Sequence, residues 1–153
     1  MTDGTFVSPF AVEDPEALAA TERVQAELAR TTGRLVDAVV RTRVDDATLA
    51  AADLSVLRDT AQLAVAKKLA EWPRLVEIAG RTNEPHRVAF YLYDLASDLH
   101  SLWNRGNDET TLRFVQDGDI AATSAKIALA RAVGVVISAG LGILGVTPAK
   151  EMR

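Results

Sequence analysis

The fold of this chain depends most on residues 84–102, which read EPHRVAFYLYDLASDLHSL. Apolar side chains recur in this stretch at intervals of four, three, four and three residues: Val88, Leu92, Leu95, Leu99 and Leu102. This spacing places them on one face of a helix, as in helices that pack into bundles. We expect Thr82 and Asn83 to cap this helix and Pro85 to lie in its first turn.

The sequence before this stretch predicts three further helices. Asp14 and Pro15 are typical of a helix start, and a first helix is expected to run from there to about Arg43. A short helix is expected at 45–54, followed by a turn at 55–59. A third helix then carries an apolar stripe at helical spacing: Leu63, Ala66, Leu69, Trp72 and Val76.

Pro73 lies inside the pattern of the third helix and is expected to kink or split it, because proline lacks the N–H that an interior turn needs. Residues 106–118 read as a polar loop whose apolar members should dock on the body: Leu112, Phe114 and Val115. The last helix is predicted from about Ile120 to Leu144. Its inward stripe consists of Ile127, Ala130, Val133, Ile137, Leu141 and Leu144.

Glycines in the last helix predict its packing and its end. Gly134 and Gly140 suggest close approach of a neighbouring helix, and Gly145 reads as a C-terminal cap. The patterns together predict an all-α fold, a bundle of about five helices over residues 14–153, preceded by a flexible N-terminal arm at 1–13. A hydrophobic content of 48% with 5% aromatics and five prolines also favours helix over sheet.

Composition argues against several kinds of site and location. The chain has no cysteine and two histidines, so neither a thiolate metal site nor a structural zinc site is expected. The apolar run 132–146 is interrupted by Ser138 and four glycines and is short for a bilayer span. The N-terminus lacks the pattern of a signal peptide. We therefore expect a cytoplasmic protein with no membrane partner.

No catalytic or phosphate-binding motif is present. The sequence lacks G-x-x-x-x-G-K-[ST], H-E-x-x-H and G-x-S-x-G. His100 and Asp98 are two residues apart on a helix and point away from each other, and His86 has no neighbouring nucleophile or base. The net charge of −4 argues against strong, sequence-independent binding of nucleic acid, which needs a basic surface. It leaves room for a domain that reads a few exposed bases.

Several stretches resemble the C-terminal anticodon-binding domain, the DALR-type domain, of bacterial arginyl-tRNA synthetases. They follow the family's order and lie at residues 52–57, 69–76, 84–95, 99–105, 128–133 and 140–146. Where the family often has Asp-Ala-Leu-Arg or Asp-Ala-Arg-Leu at the start of the last helix, this chain has Ser124-Ala125-Lys126-Ile127. In the first helix, Val24–Arg30 keeps the family's frame but lacks an aromatic that, by the resemblance, helps to build the anticodon surface.

The resemblance implies a set of tRNA-binding residues. Trp103 matches an aromatic position that contacts a splayed anticodon base, and single-stranded bases are commonly read by stacking on aromatic rings. Met152 matches a near-terminal methionine that packs at the anticodon site. Asn104 and Arg105 follow Trp103 and are expected to contact a base or a phosphate. Arg87 is the fifth candidate, with a role at the tRNA backbone.

Each of these candidates also has a structural interpretation. Trp103 could close one end of the core, and Met152 could belong to an unordered tail. Asn104 and Arg105 could cap the end of their helix. Arg87 lies on one face with Tyr91 and Asp94, which suggests a hydrogen-bond network between helices. For Trp72, part of the third helix's stripe, core packing is the simplest interpretation. These alternatives stay open at the level of sequence.

By resemblance, the chain would recognise the anticodon stem-loop of an arginine tRNA as part of an arginyl-tRNA synthetase, a ligase of protein synthesis. It has neither a His-Ile-Gly-His nor a Lys-Met-Ser-Lys sequence, so catalysis and ATP would belong to an absent catalytic domain, its second partner. The alternative is a helical protein-interaction or structural module derived from such a domain; a related domain of another synthetase is a third possibility. A basic patch would favour tRNA, formed by Arg74, Arg81, Arg87, Arg105 and Arg131.

Overall fold

The computed structural model describes residues 44–147 and, before them, only Ala19, Glu22, Arg23 and Ala26. The described part is helical and contains no strand. Its elements are α1 (Asp46–Ala50), a 3₁₀ turn (Leu54–Val56), α2 (Thr60–Thr82), α3 (His86–Asp108), a second 3₁₀ turn (Thr110–Leu112) and α4 (Ile120–Ile143). The all-α prediction is confirmed. The predicted arm at 1–13 and nearly all of the predicted first helix lie outside the described residues, which hold four α-helices.

The core is built around α3, which packs against both α2 and α4. The predicted stripe of α3 is buried, and Leu92 and Leu95 have no exposed surface. The inward stripe of α4 is buried as predicted, with Val133, Ile137 and Leu141 at 0–1% exposure. Burying each such side chain contributes roughly 1.5–3 kcal/mol, so the facing stripes of α3 and α4 dominate the stability of the fold.

Only one of the two predicted close approaches occurs. A Cβ at Gly140 would lie 2.6 Å from Cδ2 of Leu92, so α4 meets α3 closely there. A Cβ at Gly134 would have nothing within 4 Å, so the close approach predicted at that position is wrong. The cap prediction for Gly145 is confirmed: its φ is 77°, and the N–H of Val146 donates to the carbonyl of Leu141 at 2.9 Å.

The helix ends differ from the predictions because local capping geometry is not visible in the apolar pattern. Asn83 adopts φ 54° and ends α2 rather than capping α3. Pro85 is the N-cap residue of α3, with no side-chain cap. At the other end of α2, Asp59 and Gln62 form a reciprocal capping box. The short helix α1 ends at Ala50, not at 54.

The apolar stripe of α2 only partly matches the predicted one: Ala66, Leu69 and Trp72 pack against the core as predicted. Leu63 is 41% exposed, whereas Val65 and Ala79 are buried together with the capping side chain of Gln62. The helix continues across Pro73, so the predicted split is wrong. The ring of Trp72 stacks on Tyr91 of α3 with centroids 5.5 Å apart, which supports the helix beside the proline. Trp72 is half-buried against the core, as its structural interpretation predicted.

By length and composition alone, α4 could cross a membrane: it has 24 residues and a mean hydropathy of 1.7 in its most apolar window. Of that window, 44% is buried inside the bundle. The helix contacts α1, α2 and α3, which accounts for much of its apolar character.

Candidate nucleic-acid interface

The predicted stacking residue lies near the C-terminal end of α3. Trp103 is half-buried, and its ring stacks on Phe114 with centroids 4.8 Å apart and an interplanar angle of 22°. Phe114 is itself buried and belongs to the main core. Trp103 therefore has both properties considered for it: it packs against the end of the core and keeps part of its surface exposed. A base could stack only on the ring face that Phe114 does not occupy.

The loop that carries Phe114 is held by two side chains that donate to its backbone. Nζ of Lys126, on α4, donates to the carbonyls of Thr111 at 2.5 Å and Arg113 at 3.0 Å. Nε2 of Gln116 donates to the carbonyls of Thr110 at 2.8 Å and Arg113 at 2.7 Å. This loop, residues 109–118, is called the platform loop below. Its apolar residues Leu112 and Phe114 are buried, as the sequence predicted.

The platform loop also contacts the end of α3 directly. Nε of Arg113 donates to the carbonyl of Gly106 at 3.1 Å. A Cβ at Gly106 would lie 3.2 Å from Cα of Arg113, so a larger residue there would press on the loop backbone. The loop is thus fixed to α3 on one side and to α4 on the other.

Lys126 is a buried cation, with only 6% of its surface exposed. Burial lowers the pKa of Lys126, and the nearby charge of Asp119 partly opposes that shift. Burying an ammonium group is unfavourable unless its donors are satisfied, and here two backbone carbonyls satisfy two of them. Sequence analysis missed this role because helical periodicity assigns a lysine to the solvent. The available signal was the departure from the family motif at 124–127.

Arg105 and Asn104 lie beside Trp103, as their positions on α3 require. Asn104 is exposed. The guanidinium of Arg105 pairs with Glu109 at 3.0 Å and with Asp59, the N-cap residue of α2, at 3.5 Å. The hydrogen bond with Glu109 raises the pKa of Arg105. This cation in the last turn of α3 matches the structural interpretation, because it lies where the helix dipole favours positive charge.

Arg87 does not join this group. It lies at the opposite end of α3, about 24 Å along the axis from Trp103 at 1.5 Å per residue. Its Nε donates to Glu84 at 2.6 Å, and this hydrogen bond raises the pKa of Arg87. Met152 lies outside the described residues.

A hydrogen-bond network between α2 and α3 is present near the middle of these helices. The hydroxyl of Tyr91 donates to the carbonyl of Lys68 at 2.5 Å. Nζ of Lys68 lies 3.0 Å from Asp98 and 3.8 Å from Asp94. Burial raises the pKa of Tyr91 to about 12. The structural interpretation of the Tyr91 and Asp94 face is therefore confirmed.

The family of the chain follows from comparison with known proteins. The sequence matches the DALR anticodon binding domain over residues 24–152, most of its length. The chain belongs to the DALR anticodon-binding domain family. The resemblance noted in the sequence is confirmed, and with it the expected fold class.

Relatives of this DALR domain are arginine–tRNA ligases. The ligase of Paracoccus denitrificans is 65% identical over 134 residues, 88% of this chain and 22% of the relative. The ligase of Ruegeria pomeroyi is 72% identical over 108 residues, 71% of this chain and 19% of the relative. The ligase of Cereibacter sphaeroides is 74% identical over 110 residues, which are 72% of this chain and 19% of the relative. The chain thus spans about a fifth of the length of these curated relatives.

Most of the arginines considered for a basic patch are paired with acidic side chains. Arg81 pairs with Glu77, and Arg131 pairs with Asp46 on α1. Together with Arg87 and Arg105, four of the five arginines lie beside carboxylates. Within 44–147, Arg74 forms no ion pair. The DALR domain therefore presents charges of both signs over these positions, a distribution that favours the helical interaction module.

Proposed function

We propose that this DALR domain recognises the anticodon stem-loop of an arginine tRNA as part of an arginine–tRNA ligase. It binds by stacking and shape and performs no chemistry. The observation that carries the proposal is the Trp103–Phe114 stack, a supported aromatic at the end of α3 in a domain of an anticodon-binding family. A base stacked on an aromatic side chain contributes about 1–3 kcal/mol, so one such contact can discriminate between tRNAs.

The neighbours of Trp103 suit contacts with RNA. Asn104 can donate to and accept from a base edge. Arg105 is available to a phosphate, because an exposed ion pair such as the one with Glu109 is worth only about 0–1 kcal/mol and can be exchanged. Met152 is expected to complete the surface from the end of the chain. Because Arg87 lies at the opposite end of α3 from Trp103, we expect any contact of Arg87 to lie further along the tRNA.

The remaining functions belong to the rest of the ligase. We assign to its catalytic part the activation of arginine with ATP and most of the positive surface that attracts tRNA. The DALR domain needs no cofactor or metal for its own role. We place its activity in the cytoplasm, where tRNAs are charged.

A second candidate function is supported by the paired arginines. A helical interaction module without RNA binding would also carry mixed charge, because it has no phosphates to attract. The two candidates differ in what Trp103→Ala does to tRNA binding.

The test is binding of the purified chain to an arginine tRNA transcript at low salt, beside an anticodon-swapped transcript. Trp103→Ala should weaken binding to the arginine tRNA by about 5- to 150-fold, the equivalent of one lost stack. Trp72→Phe, which keeps an aromatic ring against Tyr91 on another part of the domain, is the matched control and should leave binding unchanged.

If the isolated domain binds tRNA too weakly to measure, a chimera with a complete ligase provides the test. The chain replaces the matching segment of the Paracoccus denitrificans ligase, and aminoacylation of arginine tRNA is measured with and without Trp103→Ala. A folded chimera that charges both anticodon variants equally, with no effect of Trp103→Ala, would contradict anticodon recognition and favour the interaction module.

A further inference from the structure

We propose that Lys126 is a positioning residue, which holds the Trp103–Phe114 stack in the geometry that receives a base. Lys126 acts through the platform loop and makes no contact with tRNA in this scheme. The inference rests on the proposed role of Trp103, although its first test does not require tRNA.

The argument begins with the peptide between Arg113 and Phe114. The carbonyl of Arg113 and the N–H of Phe114 belong to one planar unit, so fixing that carbonyl restricts the orientation of the Phe114 backbone. Lys126 donates to this carbonyl at 3.0 Å and to that of Thr111 at 2.5 Å. Two anchors on one segment fix both its position and its direction.

Of the side chains that donate to the platform loop, Lys126 has the most firmly held backbone. It lies on α4 between the buried residues Ala125 and Ile127, so its own backbone is held by the core. Gln116 donates to the same Arg113 carbonyl, but it belongs to the platform loop and moves with it. A further hydrogen bond joins the platform loop to α4: the N–H of Gln116 donates to Oγ1 of Thr123 at 2.9 Å. Among these contacts, only those of Lys126 connect α4 to the peptide that carries Phe114.

The contact between Phe114 and Trp103 completes the connection. The rings are stacked, so a displacement of Phe114 changes the support beneath Trp103. A binding contact of this kind depends on its supporting shell, because small misplacements weaken a stack. Lys126 therefore affects base stacking without lying in the interface.

The first test measures the environment of the Trp103 ring in the protein without tRNA. The chain has two tryptophans, so Trp72→Phe makes Trp103 the sole indole reporter. In that background, Lys126→Met should shift the emission of Trp103 to longer wavelength and reduce its near-ultraviolet dichroism. Lys126→Arg, which keeps donors, should restore most of the signal. Lys67→Met is the matched control, because Lys67 is exposed on α2, and should change neither signal.

A folded Lys126→Met chain with the unchanged Trp103 signal would overturn the proposal. If Lys126→Met does not fold, Lys126→Gln serves instead, since its amide is polar but too short to reach both carbonyls. The same change in Trp103 emission is expected there, and its absence in folded Lys126→Gln would equally overturn the positioning role.

The second test is a double-mutant cycle in tRNA binding. Lys126→Met should weaken binding severalfold when Trp103 is present and have no further effect in the Trp103→Ala chain, because the two changes remove the same contact. Equal weakening in both backgrounds would show that Lys126 acts independently of Trp103, against the proposal. If Trp103→Ala alone leaves binding unchanged, the proposed function fails, and the emission measurement still decides the positioning role.

Discussion

At the scale of single residues, Gly134 and Gly140, two of the three glycines of α4, show how much the sequence alone could predict. Both occur at positions where a helix would favour alanine, and both were interpreted as contact points. Only Gly140 faces another helix, with Leu92 in the space a Cβ would need. Periodicity says which residues share a face, but it does not say how near the partner helix comes. The burial of Lys126 was likewise not predicted, because periodicity does not show which backbone carbonyls a neighbouring loop brings within reach.

Substitution of Gly140 tests that close approach. Gly140→Ala should destabilise the domain by about 1–3 kcal/mol, because its Cβ overlaps both methyl groups of Leu92 in a packed core. Gly134→Ala is the matched control on the same helix and should stabilise it by about 0.5–1 kcal/mol, since nothing occupies the new space. Urea unfolding of the two variants measures both effects. Equal effects of the same sign would contradict the packing described here.

The phenol of Tyr91 gives a second residue-scale prediction. With a pKa of about 12 in the folded state against 10.0 unfolded, Tyr91 keeps its proton longer in the folded chain. Its contribution to stability is therefore complete below pH 10 and is lost as the pH rises towards 12. In Tyr93→Phe, the single remaining tyrosine should ionise near pH 12 while the protein is folded and near 10 in urea. Ionisation near 10 in the folded protein would contradict its burial.

At the scale of elements, the stripes of α3 and α4 and the Gly145 cap of α4 were predicted, whereas the junction between α2 and α3 was not. Stripes follow from a period that the sequence displays, whereas a cap depends on the backbone angles of one residue. Asn83 was interpreted as a start signal and acts as an end signal because it adopts the left-handed conformation. The start of α2 is likewise fixed by one residue, the N-cap Asp59, which also forms an ion pair with Arg105 of α3.

Removal of that cap should loosen the start of α2. Asp59→Ala is expected to cost about 0.5–2 kcal/mol, since the N–H of Ala61 loses its acceptor. Asp59→Asn should restore most of the stability, because asparagine also caps. Asp53→Ala, at the start of a single 3₁₀ turn, is the comparison and should cost less. Thermal unfolding ranks the three variants, and equal costs would argue against the capping box.

At the scale of the whole molecule, charge separates this domain from a general RNA binder. The net charge is −4, and four of the five arginines considered for a basic patch are paired with carboxylates. The family could be predicted from scattered stretches of sequence. Three of the four arginine pairs join residues three or four positions apart, but the pair of Arg131 with Asp46 could not be predicted, because these residues are 85 positions apart.

Salt should therefore have a modest effect on tRNA binding by the isolated domain. Each phosphate contact contributes about 0.7–0.9 to the slope of log affinity against log salt, and we expect fewer than about three contacts. Arg105→Ala should reduce the slope by about one contact, whereas Arg81→Ala, on an exposed pair with Glu77, should leave it unchanged. A slope equivalent to five or more contacts would contradict the mixed-charge surface.

The hydrogen bonds from Lys126 to the platform loop also determine when the Trp103–Phe114 stack is fixed during synthesis of the chain. They connect residues 13 and 15 positions apart, and the anchoring helix follows the stack in the chain. Trp103 and Phe114 therefore leave the ribosome before the helix that fixes them. A nascent chain halted before residue 120 would carry both aromatics without their anchor, so the ability to receive a base is acquired only after α4 has emerged and docked.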